Sequence, residues 1–217
     1  MGYEYDVFIS YKHGDVDYWL QNIFLKRFTF YLENELGRRP TIFFDQDIPS
    51  GDTWPFKLQQ ALSKSTCLVA FLQPSYFVSN WCLYEFGVML EREKIERFRT
   101  LINPKGLIQT VQIGDGIYFP TYAKQIQSLD CRDYFSASSA FERSEKCLEL
   151  EKVIRSWVPD VAQTIKEAPK WNENWINLSK IKISLPKKPI FSAPKATAVL
   201  IPITSPFKFN SGPPEFP

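Results

Sequence analysis

Cys67-Leu68-Val69-Ala70-Phe71-Leu72 is a continuous apolar run of strand length, and what flanks it decides the fold. Immediately upstream, residues 54 to 64 read as a helix that Asp52 or Thr53 caps, with Pro55 tolerated in its first turn. Before that come a second strand, Thr41-Ile42-Phe43-Phe44, and a polar loop, Asp45-Gln46-Asp47-Ile48-Pro49-Ser50-Gly51-Asp52. Residues 17 to 36 place Trp19, Leu20, Ile23, Phe24, Phe28, Tyr31 and Leu32 at helical intervals, and Tyr5 to Ser10 is a short buried strand. Downstream, Ser79 or Asn80 caps a helix that carries Trp81 and Glu85 and runs into the charged stretch Glu91 to Arg97. That stretch reads as a solvated face, with Glu93 and Arg97 at a favourable spacing. A fourth strand at Leu107 to Ile113, a short helix near 121–127, a fifth strand at Leu129 to Tyr134 and a closing helix from Ser139 to Trp157 complete the pattern. Strands alternating with helices imply a parallel sheet covered by helices on both faces.

In such sheets a ligand sits beyond the carboxyl ends of the strands, where the strand order reverses. Those ends are Ser10-Tyr11-Lys12-His13 and Asp45-Gln46-Asp47, and both are expected near the start of the helix bearing Glu85. Trp81 and Glu85 are four residues apart and share a helix face, so an indole and a carboxylate line one groove, an arrangement that suits a cationic, sugar-bearing ligand. The plainer alternative is a core tryptophan and a solvated glutamate.

At 217 residues with 44% hydrophobic residues, the chain supplies one sizeable core and an appendage. The formal charge of +2 hides an asymmetry: residues 166–217 carry eight Lys against Glu167, Glu173 and Glu215, while the remainder holds 18 basic against 21 acidic residues. A slightly acidic body with a basic tail does not fit a dedicated nucleic-acid binder. Cys67, Cys82, Cys131 and Cys147 include no CxxC pair and His13 is the one histidine, so the ligand set for a zinc cluster is inadequate. The start has no signal peptide, Asp6 spoils the myristoylation pattern, and no stretch approaches the roughly 20 apolar residues of a membrane span. A soluble, reducing, cytoplasmic setting with four free thiols is expected, and a first strand so close to Met1 suggests a genuine N-terminus. No GxGxxG or GxxxxGK[ST] loop exists, which disfavours a dehydrogenase of the dinucleotide-fold type or a P-loop nucleotidase. His13 has no Ser or Cys elbow to serve and reads as a surface histidine.

After Pro159 the character changes. Residues 186–217 hold eight of the chain's 16 prolines. Trp171, Trp175 and Leu178 suit one face of a short helix, while Ile181, Ile183 and Leu185 alternate with polar residues as an edge strand does. The expected division is a domain over 1–158 and a Pro-rich, basic extension over 159–217, which either docks or links.

Three boxes then resemble a known family. Tyr5-Asp6-Val7-Phe8-Ile9-Ser10-Tyr11, then Phe43-Phe44-Asp45 with Gly51 and Trp54, then Ser75-Tyr76-Phe77-Val78-Ser79-Asn80-Trp81-Cys82-Leu83-Tyr84-Glu85 are similar to those of a Toll/interleukin receptor (TIR) domain, over roughly residues 3–158. The resemblance implies a flavodoxin-like α/β fold with a five-stranded parallel sheet of order 2-1-3-4-5. TIR domains divide into scaffolds that signal by self-association and enzymes that cleave NAD+ at the nicotinamide glycosidic bond. The enzymes' catalytic glutamate lies in a motif resembling Trp81-Cys82-x-x-Glu85, so Glu85 inherits that role by resemblance. By the same route Phe8, Ser10, Tyr11 and Lys12 line the NAD+ site, with Lys12 near the phosphates, and Trp81 either stacks on the ligand or anchors its helix. Asp45, Asp47 and Trp54 belong to the loop that in the family closes over the site and joins neighbouring subunits; Asp45 equally suits a turn. No metal or cofactor is called for, NAD+ being the substrate. The implied function is an oligomerisation-activated NAD+ glycohydrolase of immunity or antiviral defence, yielding nicotinamide and ADP-ribose or a cyclic product. The alternative is a non-catalytic scaffold. A separate sensor or activator protein docking on 159–217 fits either.

Overall fold

The computed structural model describes residues 2–14, 16–45 and 54–178. Five strands, β1 (Tyr5–Ser10), β2 (Ile42–Phe43), β3 (Ser65–Leu72), β4 (Ile108–Gln112) and β5 (Ser128–Asp130), form one parallel sheet in the order β2-β1-β3-β4-β5. This is the flavodoxin-like topology, with β3 central and buried at every residue. Along β1 the side chains alternate. Val7 and Ile9 enter one core, whereas Phe8 enters the other.

The first core holds Val69 and Phe71 of β3 against a helical rod made of α1 (Asp17–Trp19), a π-helical segment (Leu20–Phe24) and α2 (Leu25–Leu36). Phe24 meets Phe71 edge-on, with centroids 4.9 Å apart. Gly37, at φ 67°, ends the rod by donating its N–H to the Glu33 carbonyl at 2.9 Å, a left-handed cap for which glycine carries little steric cost. The long α6 (Glu145–Lys166) closes this face through Leu150, Ile154 and Val158. The second core packs Leu68, Ala70 and Leu72 against α3 (Trp54–Ser63), α4 (Asn80–Ile95), α5 (Thr121–Lys124) and α7 (Asn174–Leu178). Ser79 caps α4, its Oγ accepting from Cys82 N at 3.4 Å.

Several expectations need correcting. The stretch Glu91 to Arg97 is not a uniformly solvated face: Arg92 and Glu93 are 0% and 2% exposed. The Arg92 guanidinium donates to the Ser65, Leu62 and Ser63 carbonyls at 2.7, 3.2 and 3.4 Å and lies over the Trp175 ring at 5.1 Å. A cation is favourable at the carboxyl end of α3, although burial lowers its pKa to about 10. Glu93 pairs with Arg99, Nε to Oε2 2.6 Å, rather than with Arg97, because α4 ends at Ile95 and Arg97 sits at φ 58°. A Cβ on Gly106 would collide with both members of this pair.

Strands β2 and β5 are shorter than the sequence suggests, and residues 132–134 form a 3₁₀ turn instead. Helix α6 begins after a 3₁₀ turn (Ser139–Arg143) and continues through Pro159 to Lys166. Pro159 removes an interior donor, but it lies on the exposed side of the helix while Val161 and Ala162 extend the buried stripe. The position 158 expected to end the domain therefore lies inside a helix. Beyond it, Trp175 and Leu178 sit in the second core, 1% and 6% exposed, and Trp171 donates Nε1 to the Ser63 carbonyl at 3.2 Å. The segment 181–185, read as an edge strand, lies outside the described residues.

Candidate functional site

Beyond the carboxyl ends of β1 and β3, a short path of buried polar groups connects three elements. Ser10 closes β1 opposite Ala70 of β3, so its hydroxyl emerges where the strand order reverses. Chain leaving β3 turns through a 3₁₀ segment (Pro74–Val78), which buries the Tyr76 ring at 0% exposure, and then enters α4. Glu85 lies in the second turn of α4, 6% exposed. Ser10 Oγ lies 2.6 Å from Glu85 Oε2 and 2.7 Å from the Tyr76 hydroxyl, and that hydroxyl lies 3.2 Å from the Cys82 carbonyl oxygen.

Burial pushes the Glu85 carboxyl up to about 8; the Ser10 hydrogen bond opposes this and the negative charge of Asp45 adds to it. Burial likewise raises the Tyr76 phenol well above its ordinary value and the Cys82 thiol to about 12. A buried carboxyl with a displaced pKa at the sheet's switch point is the kind of group on which functional sites are built.

A second polar group borders the first. The Tyr11 hydroxyl donates to Asp45 Oδ1 at 2.9 Å, His13 Nε2 pairs with Asp45 Oδ2, and His13 Nδ1 lies 3.2 Å from the Tyr11 hydroxyl and 3.7 Å from Asp17. Tyr11 is held flat against Phe44, with centroids 5.3 Å apart. Asp45 is therefore more than a turn former: it links the end of β2 to the end of β1. The His13 side chain is 46% exposed, in keeping with a surface position, yet it belongs to this rim.

The other residues singled out in the sequence divide. Lys12 is half-buried, and its ammonium lowers the Cys82 thiol pKa against the larger effect of burial, which sets it across the crevice from the start of α4. Trp81 is half-buried against the second core, edge-on to Tyr84 at 5.8 Å. Phe8 does not line the crevice: it is 1% exposed and stacked on Phe43 at 5.0 Å, because it lies one residue pair deeper than Ser10 on the same strand face. Asp47 and the side chain of Trp54 lie outside the described residues. Tyr76 belongs to the third box, where the resemblance implies no role for it. Its contact with Ser10 spans 66 positions, and no local spacing signals it.

Two open cavities, of about 470 and 630 Å³, lie elsewhere, at the amino end of the sheet, lined by such residues as Arg99, Gln127 and Asp160 in one and Tyr3, Arg38 and Trp171 in the other. Neither contains Glu85. The crevice is preferred on chemical grounds, because it joins a buried carboxyl, a cation and a polar rim from three separate segments. Among the described residues no three His, Cys, Asp or Glu side chains gather as a metal site requires, and no helix is long and apolar enough to cross a membrane.

Residues 7–144 match the family model described as TIR domain. Among solved structures, the TIR domain of the Toll-related receptor TRR-2 from the lower metazoan Hydra magnipapillata shares 18% identity, covering 70% of this chain and 98% of that one, at a TM-score of 0.42. The TIR domains of the activated Roq1 resistosome directly recognising the pathogen effector XopQ also share 18% identity, covering 82% and 96%, at a TM-score of 0.37. No curated protein matches the chain.

Proposed function

This chain belongs to the TIR domain family, which contains both NAD-cleaving enzymes and scaffolds, and from that premise we propose that it is an NAD+ glycohydrolase. The observation that carries the proposal is Glu85: a carboxyl group 6% exposed, beyond the carboxyl ends of β1 and β3, bonded to Ser10.

The chemistry needs one carboxylate. Most glycosidases pair an acid, which protonates a poor leaving group, with a second carboxylate. In NAD+ the nicotinamide ring is already a pyridinium and departs neutral when the C–N bond breaks, taking the bonding electrons. The ribose is left with an oxocarbenium-like charge that Glu85 stabilises directly or through the ribose hydroxyls. Water then adds at the anomeric carbon, giving ADP-ribose and one released proton; attack by an adenine nitrogen instead gives a cyclic product. Lys12 is suited to the diphosphate, and the half-buried Trp81 to an edge of the ligand. The cationic substrate also favours the ionised carboxylate that burial alone resists. The output we infer is NAD+ depletion or a nucleotide signal in a defence setting.

One observation favours the scaffold reading: Leu101 and Ile102 project 104% and 97% exposed as an apolar pair on the outer surface. Nicotinamide release from NAD+ by concentrated full-length protein separates the two. Turnover that disappears in both Glu85→Ala and Glu85→Gln supports the hydrolase; silence even in enforced oligomers leaves the scaffold.

A further inference from the structure

The contacts through the crevice form a series that can be counted in protons. Glu85 Oε2 lies 2.6 Å from Ser10 Oγ, Ser10 Oγ 2.7 Å from the Tyr76 hydroxyl, and that hydroxyl 3.2 Å from the Cys82 carbonyl oxygen. Each contact needs a proton of its own. Ser10 and Tyr76 carry one apiece, and a carbonyl carries none. If Glu85 is ionised, Ser10 must donate to it and Tyr76 must donate to Ser10, so the Cys82 carbonyl loses the tyrosine. If Glu85 is the neutral acid, it donates to Ser10, Ser10 to Tyr76 and Tyr76 to the carbonyl. Only the second arrangement makes all three bonds at once.

We propose that the ligand-free protein holds Glu85 as the neutral acid through this relay, and that Tyr76 is the positioning residue that terminates it. All the neighbouring elements bear on the balance. Asp45, after β2, disfavours a second negative charge, whereas Lys12 and His13, after β1, are the basic side chains of the rim. Cys82 on α4 and Tyr122 on α5 are both held neutral by burial. The relay is reversible: when a cation enters the crevice, the proton leaves, Ser10 turns its hydroxyl to the carboxylate and Tyr76 turns from Cys82 to Ser10. A pyridinium nucleotide thus switches on the group that receives it. That consequence rests on the NAD+ hydrolase reading; the protonation state itself does not.

The test uses the full chain without substrate, carrying ¹³C-carboxyl glutamate, with the Glu85 resonance identified by its loss in Glu85→Gln. In the wild type this carboxyl stays protonated at pH 7. Tyr76→Phe keeps the ring and removes the terminal hydroxyl, which takes one hydrogen bond of advantage from the neutral form, so the midpoint falls by about one pH unit, a tenfold change in the ratio of ionised to neutral carboxyl. Ser10→Ala removes the only side-chain donor that the carboxylate has among the described residues, so the midpoint rises. Opposite shifts from two adjacent deletions are not expected of residues that merely pack. A Glu85 already ionised at pH 7 in the wild type overturns the relay, as does a Tyr76→Phe midpoint that stays put or moves upward. Should either variant fail to fold, the wild-type midpoint and the other variant decide. A neutral Glu85 in a protein that releases no nicotinamide keeps the relay and removes the hydrolase; an ionised Glu85 in an active enzyme does the reverse.

Discussion

Glu85 is bound to its surroundings by a compromise between desolvation and a single strong hydrogen bond, and desolvation wins. A carboxyl whose pKa is about 8 when folded and 4.5 when unfolded keeps its proton in the native state where the unfolded chain has released it. Folding stability from this group is therefore fully present below pH 4.5 and declines as pH rises to 8. We expect the urea stability of wild type relative to Glu85→Gln to fall by up to about 5 kcal/mol across that window, then to level off; a flat difference would mean that the carboxyl is not desolvated in solution. That Glu85, Ser10 and Tyr11 share one crevice is legible because each stands at a chain position where strand or helix pattern meets a sequence box. The contact of Tyr76 with Ser10 is not, because burial and a partner 66 residues away leave no trace in local periodicity. Phe8 departs from expectation for a related reason: alternation shows that it shares a strand face with Ser10, but depth along that face depends on how far the sheet is covered.

At the scale of elements, α4 is the connector. Glu85 lies toward its amino end; near its carboxyl end, Arg92 fastens the end of α3 and Glu93 accepts from the Ile108 N–H at 2.9 Å, fixing the start of β4. Arg92 is tolerable in the core because carbonyls surround it and Trp175 covers it. Segment 168–178 is thus part of the folded body: Tyr3 donates to the Pro169 carbonyl at 3.0 Å and Trp171 to that of Ser63. Trp175→Ala is expected to cost about 3–5 kcal/mol, through an indole-sized void and water reaching Arg92. Urea denaturation measures the loss, and a change below about 1 kcal/mol would mean that the segment is only loosely applied. The strands and the site-bearing helix were readable from apolar runs and one cap. The burial of Arg92 and Glu93 was not, since a charged run reads as solvated until its hydrogen-bond partners, 15 to 30 residues away, are known. Nor was the passage of α6 through Pro159, where an apolar stripe outweighs one missing donor.

At the scale of the whole molecule, Glu85 is 6% exposed and lies behind a rim that, among the described residues, includes Asp45 and His13. Asp45 opens the segment 45–54, the part of the chain that by family resemblance completes the site of a neighbouring subunit. If it does so, a site consists of Glu85 from one copy and this loop from another, joined head to tail. Two inactive variants then become complementary. Glu85→Ala retains an intact loop and Asp47→Ala retains an intact glutamate, so random mixing in equal amounts places wild-type loop against wild-type glutamate at about a quarter of the junctions. Nicotinamide release by the mixture should recover to roughly that fraction of wild type, while each variant alone stays silent. The wild-type rate should also rise faster than in proportion to protein concentration until assembly saturates. A mixture as inactive as its components, with turnover linear in wild-type protein down to a monomeric dilution, would place loop and glutamate of one active site in the same copy.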